Sequence, residues 1–335
     1  MAESFVDVLD AWGAANPPQM VRREGEDVVA WQKRFRDGLE SLRGPLPDRV
    51  EPQAEIVESV ELDDHTRHRL RIPVSEVATL AACLLVPADL EPGERRPGIV
   101  ALHGHHPDGM DSLAGVADCK VPYALNAARA GYVTIVPAWW GWPGRDGHRD
   151  LIGNRDKCNC IQMAAKMYGL NVLDLHIQDG QAAIDVLADR PEVDAERIGC
   201  VGHSYGGRTT MWLTIVDDRV RAAVSSGAMN TFRERSLKLS SCGIQYLPGL
   251  LRSGDVPELY SLIAPRPLQL QAGEGDRLIT PADRDHIADV VHDAYESLGA
   301  GPNFEFVLHA EGHTLAWDRA EAFLAAHLGD GPPAY

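Results

Sequence analysis

The 335-residue sequence lacks any apolar stretch that approaches the length of a membrane span, which argues against a transmembrane helix. Residues 1–7 have neither a basic start nor an apolar core, so we expect no secretory signal. Basic residues are also few, since 32 Lys and Arg stand against 49 Asp and Glu and give a formal net charge of -17. Like charges repel along a phosphate surface, so the composition argues against nucleic acids and membranes as partners.

Cysteine is scarce, with six residues and one close pair, Cys158 and Cys160. Cys83 and Cys200 fall in predicted strands, where a small buried thiol needs no further explanation. We therefore expect reduced cysteines and a cytoplasmic protein. Because no second pair follows at zinc-binding spacing, the sequence does not predict a metal site at Cys158 and Cys160.

Short apolar runs alternate with helical segments through most of the chain. The runs predict strands at 98–102, 132–136, 198–202, 220–225, 268–272 and 304–308, and residues 170–187 have the apolar spacing of a long helix. Residues 55–87 contain further strand-like stretches. This alternation predicts an α/β fold with a mostly parallel sheet and helices on both faces.

Residues 1–48 predict a helical extension that precedes one large domain at 49–335. Val28, Trp31, Phe35 and Leu39 recur at helical spacing, so we expect them to pack the extension onto that domain.

Two segments, at about 145–170 and 228–262, are too long for plain connections. We expect both to form cap or lid elements over a site at the sheet edge. The second carries Arg233 and Arg235, for which a solvated helix face is the simpler interpretation and a substrate contact the alternative.

Chemically useful residues follow four of the predicted strands. Gly-x-Ser-x-Gly at 202–206 follows one strand and opens a helix, which is the arrangement of a serine held on a sharp turn. The motif alone occurs by chance, so the other strand ends carry the argument. They are His103-Gly104-His105-His106, Gly273-Glu274-Gly275-Asp276 and His309-Ala310-Glu311-Gly312-His313. Ligands bind beyond the carboxyl ends of parallel strands, so these groups are expected to converge.

The order along the chain is serine, acid, histidine, which predicts a catalytic triad. A serine hydroxyl needs a base to take its proton, and a carboxylate fixes the tautomer of that base. We assign Ser204 as nucleophile, His313 as base and Asp276 as acid. Glu274 and His309 are the alternatives for the acid and the base.

The segment from His103 to Asp108 admits two interpretations. Close histidines and an aspartate can bind zinc, but no comparable cluster elsewhere in the sequence completes such a shell, so no metal is predicted. The favoured interpretation is an oxyanion hole made by the backbone N–H groups of His105 and Tyr205.

Trp139, Trp140 and Trp142 follow a predicted strand at the same edge. We predict that they contact substrate together with His106, by stacking on a sugar ring or lining an aromatic pocket. Packing beneath a lid is the alternative for the tryptophans.

The region from about 97 to 328 resembles an α/β-hydrolase of the dienelactone hydrolase and acetyl xylan esterase branch. The resemblance rests on His103-Gly104-His105, Val193 to Gly199, Gly202 to Gly207, Ile263-Ala264-Pro265-Arg266-Pro267-Leu268, Gly275-Asp276 and Gly312-His313. It implies the α/β-hydrolase fold, with the N-terminal extension lying outside the shared core.

The predicted activity is therefore hydrolysis of a small-molecule carboxylic ester through an acyl-enzyme, with no cofactor. A lactone, amide or thioester of a bulky natural product is the alternative substrate, because the fold does not fix the leaving group. A non-catalytic binding protein on the same fold is the alternative from another class. The composition suits a monomer and a homodimer equally.

Overall fold

The computed structural model describes residues 4–146, 157–239 and 241–329, and one sheet forms its centre. Within these residues the sheet has nine strands in the order β1-β2-β3-β5-β4-β6-β7-β8-β9. The strands are β1 Glu55–Glu61, β2 His65–Ser75, β3 Ala78–Pro87, β4 Arg96–Leu102, β5 Val133–Pro137, β6 Val193–His203, β7 Val220–Ser226, β8 Leu268–Gly273 and β9 Phe304–His309.

The strands from β4 to β9 pair in parallel, whereas β1, β2 and β3 pair antiparallel with one another and β3 pairs antiparallel with β5. Strands β4, β5 and β8 are buried along their whole length. Continuous burial explains the unbroken apolar run at 98–102 in β4, because helices cover both faces of a parallel sheet. Strand β8 is equally buried although it carries Gln269 and Gln271. The predicted mostly parallel sheet is confirmed.

The helices lie on both faces of the sheet and form two apolar clusters with it. In chain order they are α1 Phe5–Ala15, α2 Val28–Glu40, α3 Met110–Leu113, α4 Tyr123–Arg129, α5 Lys157–Lys166, α6 Val172–Ala188, α7 Tyr205–Val216, α8 Phe232–Leu237, α9 Val256–Ser261, α10 Pro281–Ser297 and α11 Trp317–Leu328. Residues from α2, α6, α7, α9 and α10 join one cluster, and residues from α3, α4 and α11 join the other. In the described part of the chain no helix is long and apolar enough to cross a bilayer.

Helix α2 belongs to the main core, as its apolar spacing predicts. Its buried face carries the four residues expected from the sequence, Val28, Trp31, Phe35 and Leu39. The Gln32 side chain donates to the carbonyls of Ser261 and Ala264 at 2.9 and 2.8 Å. Helix α1 buries none of its residues. The extension therefore joins the apolar core of the domain through its second helix.

The two predicted cap segments differ in how much the structure describes. Residues 147–156 of the first lie outside the described residues, and α5 is the part that follows them. The second contains α8, two 3-10 turns at Gly243–Gln245 and Leu250–Arg252, and α9. Helix α5 packs against the turn at Gly243–Gln245, and Gln245 of this turn lines a small cavity together with Ser204.

Candidate active site

Ser204 lies on a sharp turn between β6 and α7 with a φ of 60°. The glycines of its motif are required by close backbone approach. A Cβ on Gly202 would lie 2.2 Å from the carbonyl oxygen of Gly206, and a Cβ on Gly206 would lie 1.8 Å from that of Leu102. Since real Cβ atoms do not approach so closely, only glycine permits the helix to fold back against β4 and β6. The turn projects the serine away from the sheet.

The loop after β4 lies directly against this turn. A Cβ on Gly104 would be 2.9 Å from the carbonyl oxygen of His203 and 3.8 Å from the amide nitrogen of Tyr205. Tyr205 is the first residue of α7, so its N–H has no carbonyl partner within the helix. The structure therefore brings the two predicted oxyanion donors, on His105 and Tyr205, to the same end of the sheet as Ser204.

His313 and Asp276 form a hydrogen bond between the loops that follow β9 and β8. The Nδ1 atom of His313 lies 2.7 Å from Oδ2 of Asp276, and the other carboxylate oxygen accepts the Leu278 amide at 2.9 Å. Burial raises the pKa of Asp276, but these hydrogen bonds outweigh it and hold the pKa below its ordinary value. The carboxylate is 1% exposed and the imidazole 29% exposed, so an ionised acid orients a reachable base.

Glu274 and His309, the alternatives for the acid and the base, take no part in the hydrogen bond between His313 and Asp276. Glu274 is exposed, and neither ring nitrogen of His309 has a hydrogen-bond partner among the described residues. The ring beside His313 is instead His203, with a centroid distance of 4.4 Å. Burial, together with the neighbouring His313, lowers the pKa of His203 to about 3. His203 is therefore a neutral packing partner of His313.

A cavity of about 850 Å³ opens in front of Ser204 and His313. Its wall combines polar and apolar side chains, from His105, His106, Leu113, Asp118, Cys119, Lys120, Val121, Leu278 and Leu315. An ion pair between Lys120 and Glu311 lies at its rim. Of the four residues predicted to contact substrate, His106 lines this cavity.

A second cavity, of about 40 Å³, adjoins the same serine and histidine. Arg208, which is 2% exposed, lines it together with Asn230, Arg235 and Gln245. One guanidinium nitrogen of Arg208 bonds to Asn230, whereas Nη1 has no partner among the described residues. Arg208 was not among the predicted site residues, although its position one helical turn after Ser204 could have indicated it.

The tryptophans do not reach either cavity, and the structure agrees with the packing alternative. Trp139 and Trp142 are 0% and 2% exposed, and their indole N–H groups donate to the carbonyls of His103 and His106, each at 2.9 Å. The Arg145 guanidinium stacks on Trp140 with 3.4 Å to the ring centroid. The structure therefore does not place any of the three tryptophans where it was predicted to contact substrate. The indoles hold the loop after β4 from behind, and this side-chain direction was not readable from the sequence.

Two further buried histidines belong to the same network. His103 Nε2 accepts the Trp139 amide at 3.2 Å and its Nδ1 donates to the Gly104 carbonyl at 2.9 Å, so both ring nitrogens are occupied. His176 Nε2 accepts the Trp140 amide at 3.1 Å, and its Nδ1 lies 2.6 Å from the Tyr205 hydroxyl. Burial lowers the pKa of His103 to about 3 and that of His176 well below its ordinary value. Both rings are neutral cross-links that position the loop and the first residue of α7.

Comparison with known proteins places this arrangement among hydrolases. The model of the dienelactone hydrolase family matches residues 110–322, which is more than half of the chain. A Bacillus subtilis (strain 168) protein named "Putative hydrolase YtaP" is 28% identical over 287 residues, covering 83% of this chain and 92% of that protein.

Solved structures share the fold at lower sequence identity. A Bacteroides fragilis NCTC 9343 protein described as a "putative acetyl xylan esterase" superposes with a TM-score of 0.76 at 19% identity, over 92% of this chain and 83% of that chain. A glucuronoyl esterase from Solibacter usitatus gives a TM-score of 0.68 at 17% identity, over 93% and 97% of the two chains.

Proposed function

The chain belongs to the dienelactone hydrolase family, and from this premise we propose that it cleaves a carboxylic ester through Ser204, His313 and Asp276. The observation that carries the proposal is the 2.7 Å hydrogen bond from His313 to the buried Asp276, beside a serine with a φ of 60°. In this proposal the opposite ring nitrogen of His313 takes the serine proton.

The reaction begins when His313 takes the Ser204 hydroxyl proton and Oγ attacks the ester carbonyl carbon. The N–H groups of His105 and Tyr205 stabilise the negative charge on the carbonyl oxygen, and Asp276 stabilises the imidazolium. The ester C–O bond then breaks, and the alcohol leaves with the proton from His313. A water molecule, deprotonated by His313, cleaves the acyl-enzyme and regenerates Ser204.

The sizes of the two cavities suggest which one holds the acyl group of the ester and which one holds the alcohol. The space of about 40 Å³ accommodates a short acyl group, whereas the space of about 850 Å³ accommodates a bulky alcohol. An acetyl ester of a large, polar alcohol fits this asymmetry. Structural neighbours described as a "putative acetyl xylan esterase" and a glucuronoyl esterase support a carbohydrate ester as the first class to test.

A panel of substrates tests this proposal. The panel contains aryl acetate, butyrate and octanoate, acetylated sugars, lactones, thioesters and amides. We expect acetyl esters to react fastest, and kcat/KM to fall about tenfold or more from acetate to octanoate, because extra methylenes do not fit the small cavity. Lactone or amide hydrolysis faster than ester hydrolysis would contradict the substrate class.

The serine is tested on the same panel with Ser204→Ala. We expect kcat to fall by about 10⁴-fold or more, since the nucleophile is lost. Ser59→Ala, on the exposed edge strand β1, is the matched control and is expected to retain full activity. Full ester hydrolysis by Ser204→Ala would refute the mechanism.

A further inference from the structure

Three potential metal ligands from distant parts of the chain meet beside the active-site loop. They are His105, which follows β4, Cys158 in the first turn of α5, and Cys242, which precedes the 3-10 turn Gly243–Gln245. One ligand atom from each lies within 4.8 Å of the others. Among the described residues this is the one such group of three or more His, Cys, Asp or Glu side chains.

The two cysteines are held next to each other by the residues that follow them. The side-chain oxygen of Asn159 accepts the backbone N–H of Gly243 at 2.7 Å. A Cβ on Gly243 would lie 2.7 Å from that oxygen, so the two segments are closely packed at this point. The spacing of the Cys158 and Cys242 thiols is thus set by the packing of α5 against the turn.

The third ligand is also fixed in place. The His105 ring packs against Trp142 and Tyr205, with centroid distances of 5.6 and 5.4 Å. Both neighbours are themselves held by hydrogen bonds, the Trp142 indole to the His106 carbonyl and the Tyr205 hydroxyl to His176. The imidazole is exposed, so a metal ion can reach it from solvent.

The chemistry of these donors favours zinc. Two thiolates and one imidazole are common zinc ligands, whereas Ca²⁺ and Mg²⁺ prefer oxygen. In a tetrahedral zinc site the bond lengths place neighbouring ligand atoms roughly 3.5–3.8 Å apart, so small side-chain rotations would complete the geometry. Two thiolates also neutralise the charge of Zn²⁺, and a neutral complex suits a site where Cys158 is buried.

We propose that His105, Cys158 and Cys242 bind one zinc ion, with a fourth coordination position open to water. On binding, each cysteine thiol loses a proton to solvent and the neutral imidazole donates one nitrogen lone pair, so no oxidant or reductant is involved. The ion ties both cap segments to the loop whose His105 N–H faces the reacting carbonyl in the proposed reaction. The sequence alone did not indicate this site. His105 and Cys158 belong to two separate motifs, neither of which contains enough ligands for a zinc ion, and Cys242 is isolated in the sequence.

Zinc binding can be measured directly on the full-length, reduced protein. After chelator treatment and its removal, zinc sulfate is titrated and bound zinc is measured by elemental analysis, with cobalt(II) as a spectroscopic probe for thiolate ligation. We expect one zinc per chain, the absorption of a tetrahedral cobalt–thiolate site, and a melting temperature that rises with zinc concentration. None of these measurements depends on ester hydrolysis.

Variants identify the ligands. Cys158→Ser and Cys242→Ser are each expected to weaken the cobalt–thiolate absorption, and the double variant is expected to abolish it, because each single variant keeps one thiolate. His105→Ala is expected to weaken zinc binding by at least about tenfold, since even outer-shell partners contribute that much. Cys160→Ser, two residues from Cys158, is the matched control and is expected to bind zinc normally. The proposal is overturned by substoichiometric binding in the wild type, by unchanged binding in the Cys158→Ser/Cys242→Ser double variant, or by equal loss in Cys160→Ser. A Cys158–Cys242 disulfide whose reduced form takes up no zinc would also overturn it.

Discussion

The two sides of the turn that carries Ser204 both contain histidines, but the surroundings of these histidines differ. On the acid side, His313 is 29% exposed and bonded to the carboxylate of Asp276. On the tryptophan side, His103 and His176 are fully buried, and their ring nitrogens face backbone groups and a tyrosine hydroxyl. Histidines at the same edge of the sheet therefore have two kinds of surroundings: a carboxylate and partial exposure at His313, and complete burial without a carboxylate at His103 and His176.

The hydrogen-bond partner and the burial of a histidine, rather than its residue type, therefore decide whether it can exchange protons. A carboxylate stabilises the imidazolium of a reachable ring, as at His313. A buried ring without a carboxylate is held neutral, because desolvation disfavours its charged form. The acid side is thus suited to proton transfer and the tryptophan side to holding the loop and α7 in place.

The largest effect is expected when the acid side alone is disabled. Asp276→Asn and His313→Ala are each expected to lower kcat for ester hydrolysis by about 10³–10⁴-fold, because the base loses its orientation or is absent. Steady-state kinetics measures the effect, and circular dichroism checks that the fold persists. If either variant retained kcat within tenfold of the wild type, a different residue would have to act as the catalytic base or as the acid that orients it.

On the tryptophan side the expected loss is one of stability. Tyr205→Phe removes the hydroxyl that pairs with His176 Nδ1 and leaves a buried donor without a partner. The free energy of unfolding should fall by about 1–3 kcal/mol, measured by urea denaturation, while kcat stays within about tenfold because the Tyr205 N–H remains. A fall in kcat as large as that of His313→Ala would mean that the hydroxyl takes part in the reaction.

A third neutral histidine, His203 beside His313, predicts how stability depends on pH. The pKa of His203 is about 3 in the folded protein and about 6.5 in an unfolded chain, so between these values the unfolded state binds the extra proton. Unfolding therefore becomes easier as the pH falls from about 6.5 toward 3, and His203 contributes a slope of up to about 1.4 kcal/mol per pH unit.

His203→Gln should flatten that slope by this amount, as measured by urea denaturation between pH 4.5 and 6.5 in steps of roughly half a unit. His292→Gln, at an exposed position on α10, serves as the control and should leave the slope unchanged. An unaltered slope in His203→Gln would show that this ring is not held neutral in the folded protein.

Much of the sheet and of the proposed triad could be predicted from the sequence, because both follow from local patterns. Apolar runs such as 98–102 mark fully buried strands, and the residue after each run is placed at the sheet edge by the end of the strand itself. Ser204 directly follows such a strand, and Asp276 and His313 lie in the loops that follow β8 and β9. The strands therefore place these loops at one edge, while the choice of Asp276 over Glu274 and of His313 over His309 depends on the loop geometry.

What could not be predicted depends on side-chain direction and on contacts between distant segments. The tryptophans after β5 also follow a strand end, yet their indoles turn inward to the carbonyls of the loop after β4. Arg208 is charged but buried against Asn230, which composition does not indicate. The proposed zinc ligands Cys158 and Cys242 come together only through the packing of α5 on a 3-10 turn.

The central claim is that Ser204 is the residue that forms the acyl-enzyme, and covalent labelling tests it most directly. The protein is incubated with a serine-directed aryl phosphonate, and the modified peptide is identified by mass spectrometry. We expect a single label on Ser204, loss of ester hydrolysis in proportion to labelling, and much slower labelling in His313→Ala. Stoichiometric labelling of another residue together with loss of activity, or full activity in completely Ser204-labelled protein, would contradict the account.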